Sequence, residues 1–339
     1  MLNHQRPPEK EKESLFGRFL KKVDGCDVEF QFNGKDRKDM ATIDDPYDRT
    51  SEKMHVFQHT EPIQGVVSLR PKGSYSHKGI LVEFIGVITT LGDKEDKIEF
   101  LHRHKTFEPT SINQPTNLDF SFPEDKEYES YRGVNAKVSY IMRVTIQRPL
   151  KNVVESEEVW VSKIDHARSE AEPDANDGKT WFREKEFGPN SVSMEVGVDN
   201  LLHIEFKYDK KVFHLKERVL GKVTFKVMDL DLQYGEIALV RKEFIGPGRP
   251  NDPVETETLQ KFEIMDGTPI VGEVVPIRLY LNAVPRLTPS YPNIHNCFRV
   301  VYFLNLVLIT GEGKRYFKQQ EIFLYRRTNQ VTPSNMIVQ

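Results

Sequence analysis

HIEFKYD, residues 203–209, sets Ile204, Phe206 and Tyr208 on one side of an extended chain and His203, Glu205, Lys207 and Asp209 on the other. Successive side chains of a strand point to opposite faces, so this period of two describes a strand that buries one face and wets the other. DVEFQF (27–32) repeats the pattern with Val28, Phe30 and Phe32, and NLDFSF (117–122) with Leu118, Phe120 and Phe122. Turn-forming residues punctuate the runs at Asn33-Gly34, Leu91-Gly92-Asp93, Asp209-Lys210, Gly246-Pro247-Gly248 and Gly311-Glu312-Gly313. No stretch sustains a helical period. The pattern predicts an all-β protein built from antiparallel sandwiches.

The chain also resembles itself. VSYIMRVTI (138–146) matches VVYFLNLVL (300–308), PIQGVVSL (62–69) matches RVLGKVTF (218–225), and EFIG recurs at 83–86 and 243–246. The three matches keep their order at offsets of 162, 156 and 160 residues. A shared offset predicts two copies of one sandwich. With 339 residues the chain also exceeds what one core usually serves. The expected division is a leader at 1–24, a first sandwich at 25–160, a polar connection at 161–192, a second sandwich at 193–328 and a tail at 329–339. The sandwiches are expected to join near residues 147–195. The connection is charged and rich in Gly and Pro over 165–191. Its Trp181 and Phe182 have two readings, docking on this chain or a short recognition motif. The leader ends in SLFGRFLKK (14–22), whose Leu15, Phe16, Phe19 and Leu20 lie beside Lys21 and Lys22; docking on the first sandwich or disorder fits it better than membrane binding, because one short segment holds lipid weakly.

Composition excludes several classes. Basic and acidic residues number 48 and 51, so no overall field draws the chain to nucleic acid. The two cysteines, Cys26 and Cys297, fall in different predicted domains and are expected to be free thiols. No Asn-x-Ser/Thr acceptor occurs, the N-terminus lacks an apolar run of signal-peptide length, and the longest apolar stretch, VVYFLNLVLI (300–309), is too short for a transmembrane helix. A cytosolic protein is expected.

Catalytic patterns are missing as well. There is no Gly-x-Ser-x-Gly and no Gly-x-Gly-x-x-Gly, and DGKT (177–180) has Pro173 where a phosphate-binding loop needs its first glycine. His55 and His59 would share a metal only on a helix, and MHVFQH (54–59) reads as a strand. His102 and His104 share a strand face beside Arg103 and Lys105. Both pairs are expected to be solvated surface residues. The acidic pairs Glu155/Glu157 and Asp229/Asp231 have no nucleophile nearby in sequence. No enzyme, cofactor or metal is expected. One oddity remains. In FEIMDGTP (262–269) the apolar pair Ile264-Met265 stands immediately before the turn dipeptide Asp266-Gly267. Either the pair meets a partner, or alternation turns one of the two into the core.

Longer stretches carry a family resemblance. HKGILVEFIG (77–86), YESYRGVNAKVSYIMRVTI (128–146), MEVGVDNLLHIEFKYDKKVFHLKERVLGKV (194–223), ETETLQKFEIMDGTP (255–269), YFLNLVL (302–308) and RYFKQQEI (315–322) resemble the arrestin-like subunit of retromer, the vacuolar protein sorting-associated protein twenty-six family. The likeness runs from about residue 27 to residue 326. The chain departs from the family in a longer 165–191 segment and in the residues before 14.

The resemblance implies an arrestin fold of two consecutive β-sandwiches and a non-enzymatic adaptor of endosomal retrieval to the Golgi and plasma membrane, peripheral on endosomal membranes through the coat. It implies that the second sandwich docks on retromer's helical-solenoid scaffold subunit through Ile264, Met265, Asp266 and Gly267. It further implies that Ser193, Met194, Val196 and Phe317 recognise a cargo tail together with a phox-homology sorting nexin, the tail adding as an extended strand. From the residues alone, Val196 and Phe317 read better as core. A retromer-independent arrestin-like adaptor is the competing reading of the whole.

Overall fold

The computed structural model describes residues 25–32, 40–46, 50–91, 95–123, 126–163, 192–198, 200–247, 249, 252–285 and 287–326. The readings of the leader, of Trp181 and Phe182 and of the tail lie outside them. The first half supplies β1 (Cys26–Phe32), β2 (Met40–Asp45), β3 (Thr50–Gln58), β4 (Ile63–Pro71), β5 (Tyr75–His77), β6 (Ile80–Leu91), β7 (Glu95–Phe107), β8 (Thr110–Ile112), β9 (Thr116–Phe122), β10 (Tyr131–Arg132), β11 (Ala136–Ile146) and β12 (Val153–Ser162). One sheet runs β1-β4-β9. Facing it, a second runs β2-β3-β12-β11-β6-β7 with β10 appended to β11, and β5 pairs β8 separately.

Alternation accounts for these strands. β11 buries Ala136, Val138, Tyr140, Met142, Val144 and Ile146, with the residues between them half-buried. The apolar phase of β1 and β9 meets it as Phe30, Phe32, Phe120 and Phe122, with edge-to-face contacts such as Phe32 on Phe57 at 5.2 Å. Each such ring removed from water contributes about 1.5–3 kcal/mol. β6 is interior to its sheet and apolar on both phases except for Glu83, which is buried. A buried carboxylate must be paired. Arg143 on β11 donates to it from Nε and Nη2 at 2.8 and 2.9 Å, and His102 on β7 lies 2.9 Å away. The Arg143 guanidinium holds the Glu83 carboxyl below its ordinary value.

The second half supplies β13 (Val192–Val198), β14 (Leu202–Tyr208), β15 (Val212–His214), β16 (Arg218–Met228), β17 (Leu232–Ile245), β18 (Val254–Asp266), β19 (Val274–Tyr280), β20 (Tyr291–Ile294), β21 (Phe298–Thr310) and β22 (Arg315–Tyr325). Its sheets run β13-β14-β16-β19 and β15-β22-β21-β17-β18, with β20 appended to β21. The order repeats the first half strand for strand: β1-β4-β9 becomes β14-β16-β19, and β3-β12-β11-β6-β7 becomes β15-β22-β21-β17-β18. Only β2 and β13 lack a counterpart within these sheets. The sandwiches are not wholly antiparallel. β3 runs parallel to β12 and β15 parallel to β22, for three residues each and at equivalent places. The two EFIG copies do not hold equivalent places: Glu83 faces Arg143, whereas Asn305, the counterpart of Arg143 in the matched strands, faces Ala238 rather than Glu243. The thiols are free, Cys26 buried in the first half and Cys297 half-buried in the second.

The duplication extends to how the halves meet. Tyr140 bonds the backbone of Tyr128 through its hydroxyl, and Tyr302 bonds Thr288 in the same way. The Ser130 hydroxyl accepts from Val161 N–H and the Ser290 hydroxyl from Leu324 N–H, both at 2.9 Å. These paired anchors present Tyr131 and Tyr291, whose rings lie 4.9 Å apart across the junction. Around them Tyr131 donates to Glu243 Oε2 at 2.7 Å, Asn135 N–H donates to Glu243 Oε1 at 2.5 Å, Tyr291 donates to Ser130 O at 3.1 Å, and Arg326 donates to Glu129 Oε1 at 2.8 Å. Glu129 and Glu243 are buried. The covalent connection leaves β12 at Ser162 and enters β13 at Val192, but the packing contact is built elsewhere, by residues 129–135 against 241–243, 291–298 and 326. A Cβ on Gly133 would overlap Glu243 Oε2.

Candidate functional site

Two surfaces of the second sandwich hold the residues singled out in the sequence. The first is the end of β18. There the β17–β18 ladder slips between Gly235 and Glu236: Gly235 faces Met265, Glu236 faces Glu263, and Ile264 is left without a partner across the strands. A bulge of one residue breaks strict alternation. Ile264 and Met265 are consequently both half-buried and both packed against the core, rather than one inside and one outside. Gly235 makes room for this, since a Cβ there would stand 2.9 Å from Met265 Cγ. Asp266 is exposed. Gly267 takes φ +79 and donates its N–H to Gln233 O at 2.7 Å. Most of the turn's fixing comes from Thr268, whose hydroxyl accepts from Leu232 N–H at 2.9 Å and lies 3.1 Å from Asp231 Oδ1.

The exposed apolar groups lie a few residues further on, and sequence reasoning missed them. Ile270 is 74% exposed, Val271 61% and Val274 50%. They ride on a turn closed by Glu273, which donates its N–H to Ile270 O and accepts from Ile270 N–H through its carboxylate. Gly272 supplies the positive φ of +87 and donates its N–H to Phe225 O. The sequence signal was available: TPIVGEVV puts two apolar pairs around a turn glycine. Edge strands β18 and β19 enclose a cleft of about 320 Å³ whose walls mix Ile237, Phe262, Ile264 and Leu279 with Glu263 and Arg278. Ile264 is therefore less a projecting knob than part of the wall of a cleft of mixed polarity, whose lining includes neither Met265 nor Ile270 and Val271.

The second surface lies on the other flank. β18 and β19 are the adjoining edges of the two sheets, so β13 and the β15–β22 edge close the opposite side. β13 pairs only with β14 among the described residues. Ser193 is exposed, but Met194 is a core residue at 9% exposure, so that position offers a partner backbone rather than side chain. Val196 sits in β13 opposite Ile204; its side chain lies outside the description. Phe317, for which the residues alone favour a core position, is instead 64% exposed on β22. β15 covers only Phe323–Tyr325 of β22, leaving the edge beside Phe317 open among the described strands.

The histidine pairs differ from expectation in part. His55 and His59 are both half-buried, and the His55 ring lies against Phe32 at 5.1 Å rather than facing water. His102 and His104 are exposed on β7, but His102 lies between Glu83 and Glu99 rather than in purely cationic surroundings. Among the described residues no group of three or more His, Cys, Asp or Glu is placed to hold a metal, and no helix is long and apolar enough to cross a membrane.

Comparison with known proteins gives the architecture its kin. The family model described as vacuolar protein sorting-associated protein 26 matches residues 23–313. The Dictyostelium discoideum protein of that name is 40% identical over 310 residues, covering 89% of this chain and 82% of the relative. The Plasmodium falciparum (isolate 3D7) protein is 36% identical over 306 residues, covering 89% and 96%. Human vacuolar protein sorting-associated protein 26B is 39% identical over 292 residues, covering 85% and 81%. With an all-β, arrestin-like pair of sandwiches and this likeness along most of its length, the chain belongs to the vacuolar protein sorting-associated protein 26 family.

Proposed function

We propose that the chain is a non-enzymatic adaptor subunit of the retromer coat, working at the cytoplasmic face of endosomes. In this reading residues 25–160 and 193–328 are its two domains and 161–192 their connection. The second domain docks on the helical-solenoid scaffold subunit with the β18 end, through Ile264, Met265, Asp266 and Gly267, and Ile270 and Val271 extend the contact. The observation that carries the reading is the run of exposed apolar groups, Ile270, Val271 and Val274, just past the half-buried pair Ile264 and Met265, within a chain of this family. Exposed Ile and Val side chains beside this pair favour a partner that brings apolar side chains of its own, as the face of a helical repeat does.

The opposite flank is the proposed cargo surface. A tail segment adds as a strand along the open edges of β13 and β22, with Phe317 beside it and a phox-homology sorting nexin completing the site. Putting the two surfaces on opposite flanks lets scaffold and cargo bind together. Co-purification of the full chain with the scaffold subunit tests the reading. A stable one-to-one complex supports it, whereas cargo-tail capture without any scaffold binding would favour a retromer-independent adaptor.

A further inference from the structure

The far end of the first sandwich carries a surface that neither proposed contact uses. Lys78 donates its N–H to Gln147 O at 2.8 Å, and Gln147 donates its N–H to Gly79 O at 2.9 Å. The Arg148 guanidinium lies 4.6 Å over the Tyr75 ring, and Lys72 N–H donates to Gly25 O at 2.8 Å. These contacts join residues 72–79, the β11–β12 turn and Gly25 into one tip. At its outermost point is Leu150, 101% exposed, followed by exposed Lys151. A leucine that exposed lies in no groove of its own protein. Lys78 is also exposed, and neither Lys78 nor Lys151 is in an ion pair among the described residues. Lys72 is neutralised by Asp27 at 2.9 Å. Glu108, just past the end of β7, is the acid nearest in the strand register, since Phe107 faces Ile80.

We propose that this tip contacts an anionic lipid bilayer directly, with Leu150 entering the headgroup–acyl boundary and Lys78, Arg148 and Lys151 lying among the headgroups. A projecting leucine ringed by cations suits a deformable, negatively charged interface. A rigid protein partner would have to supply both a socket for Leu150 and acids placed for each cation. Stable membrane attachment takes two weak signals, and here an apolar side chain and a basic cluster meet at one end. The contact is independent of scaffold and cargo binding.

Vesicle flotation of the full chain tests it, with phosphatidylcholine vesicles containing or lacking about 30 mol% phosphatidylserine. Binding is expected only with phosphatidylserine and is lost at high salt. The double change Lys78→Glu/Lys151→Glu should lower it at least about tenfold, and Leu150→Asp should lower it too, with melting temperature unchanged. A separate probe reads insertion: Leu150→Cys in a Cys297→Ser chain, carrying an environment-sensitive dye, should shift to the blue on the anionic vesicles. Equal binding to both vesicles, no effect of either set of changes, or no spectral shift would overturn the proposal. So would loss of all binding on deleting residues 1–22 while the tip variants bind normally. Binding to polyglutamate without vesicle binding would show an acidic protein partner instead, and would overturn it as well.

Discussion

At the scale of single residues, the apolar pair before the turn was visible as an anomaly, and its geometry was not. Alternation predicts that one of Ile264 and Met265 faces in; the extra residue opposite Gly235 puts both half-way. A bulge is set by the pairing of two strands far apart in sequence, so no local pattern announces it. Gly235→Ala should crowd Met265 Cγ and Leu308 Cδ2. Because Met265 ends in a flexible thioether, the loss of stability should stay near the low end of overpacking, about 1 kcal/mol. Scaffold affinity should fall because Met265 is displaced, and calorimetry with the scaffold together with thermal unfolding reads both effects. Phe317 gives the contrasting case: any Phe in a β-rich string reads as core, and only the short reach of β15 reveals its open edge. Phe317→Asp should change stability by no more than about 0.5 kcal/mol and leave scaffold binding intact, while weakening capture of a cargo tail with a sorting nexin. Equal loss of both activities would make Phe317 a folding residue.

At the scale of elements, period-two patterning located β1, β9 and β14 within a residue or so, because one wet and one dry face write themselves directly into the sequence. Interior strands were less legible. β6 is apolar on both phases, and its one charge, Glu83, owes its partners to β11 and β7. Neither neighbour is predictable from β6 alone. Glu83→Gln should cost about 1.5–3 kcal/mol at neutral pH, toward the lower figure because Arg143 is 39% exposed. The pairing depresses the folded carboxyl, so this stabilisation is present above the unfolded value of about 4.3 and lost as pH falls through the lower folded value. Denaturant melts of both proteins should therefore converge in acid. A gap that stays constant from neutral pH to well below that value would show that the carboxylate charge contributes nothing.

At the scale of the whole molecule, the offset near 160 residues foretold two sandwiches, and the strand orders match pair by pair. What it could not foretell was the junction, where the duplicated tyrosines Tyr131 and Tyr291 face each other over buried Glu129 and Glu243. Gly133→Ala forces a methyl into the Glu243 carboxylate. It should destabilise the protein by about 1–3 kcal/mol and change the angle between domains, which small-angle scattering would register; an unchanged profile and melting temperature would show that the junction yields without cost. The proposal that gives the molecule its place in a coat is that the β18 end docks on the scaffold while the opposite flank stays free for cargo. The direct measurement is calorimetric affinity for the scaffold subunit of the wild type, of Ile264→Asp/Met265→Asn and of Ile270→Asp/Val271→Asp, with a melting temperature for each. Truncating anchor side chains typically costs about 2–4 kcal/mol, a loss of roughly 30- to 1,000-fold. Both double variants should lose at least that much, and the Ile270/Val271 variant should do so at unchanged melting temperature because those side chains are exposed. Wild-type affinity in both variants, with the fold intact, would contradict the account.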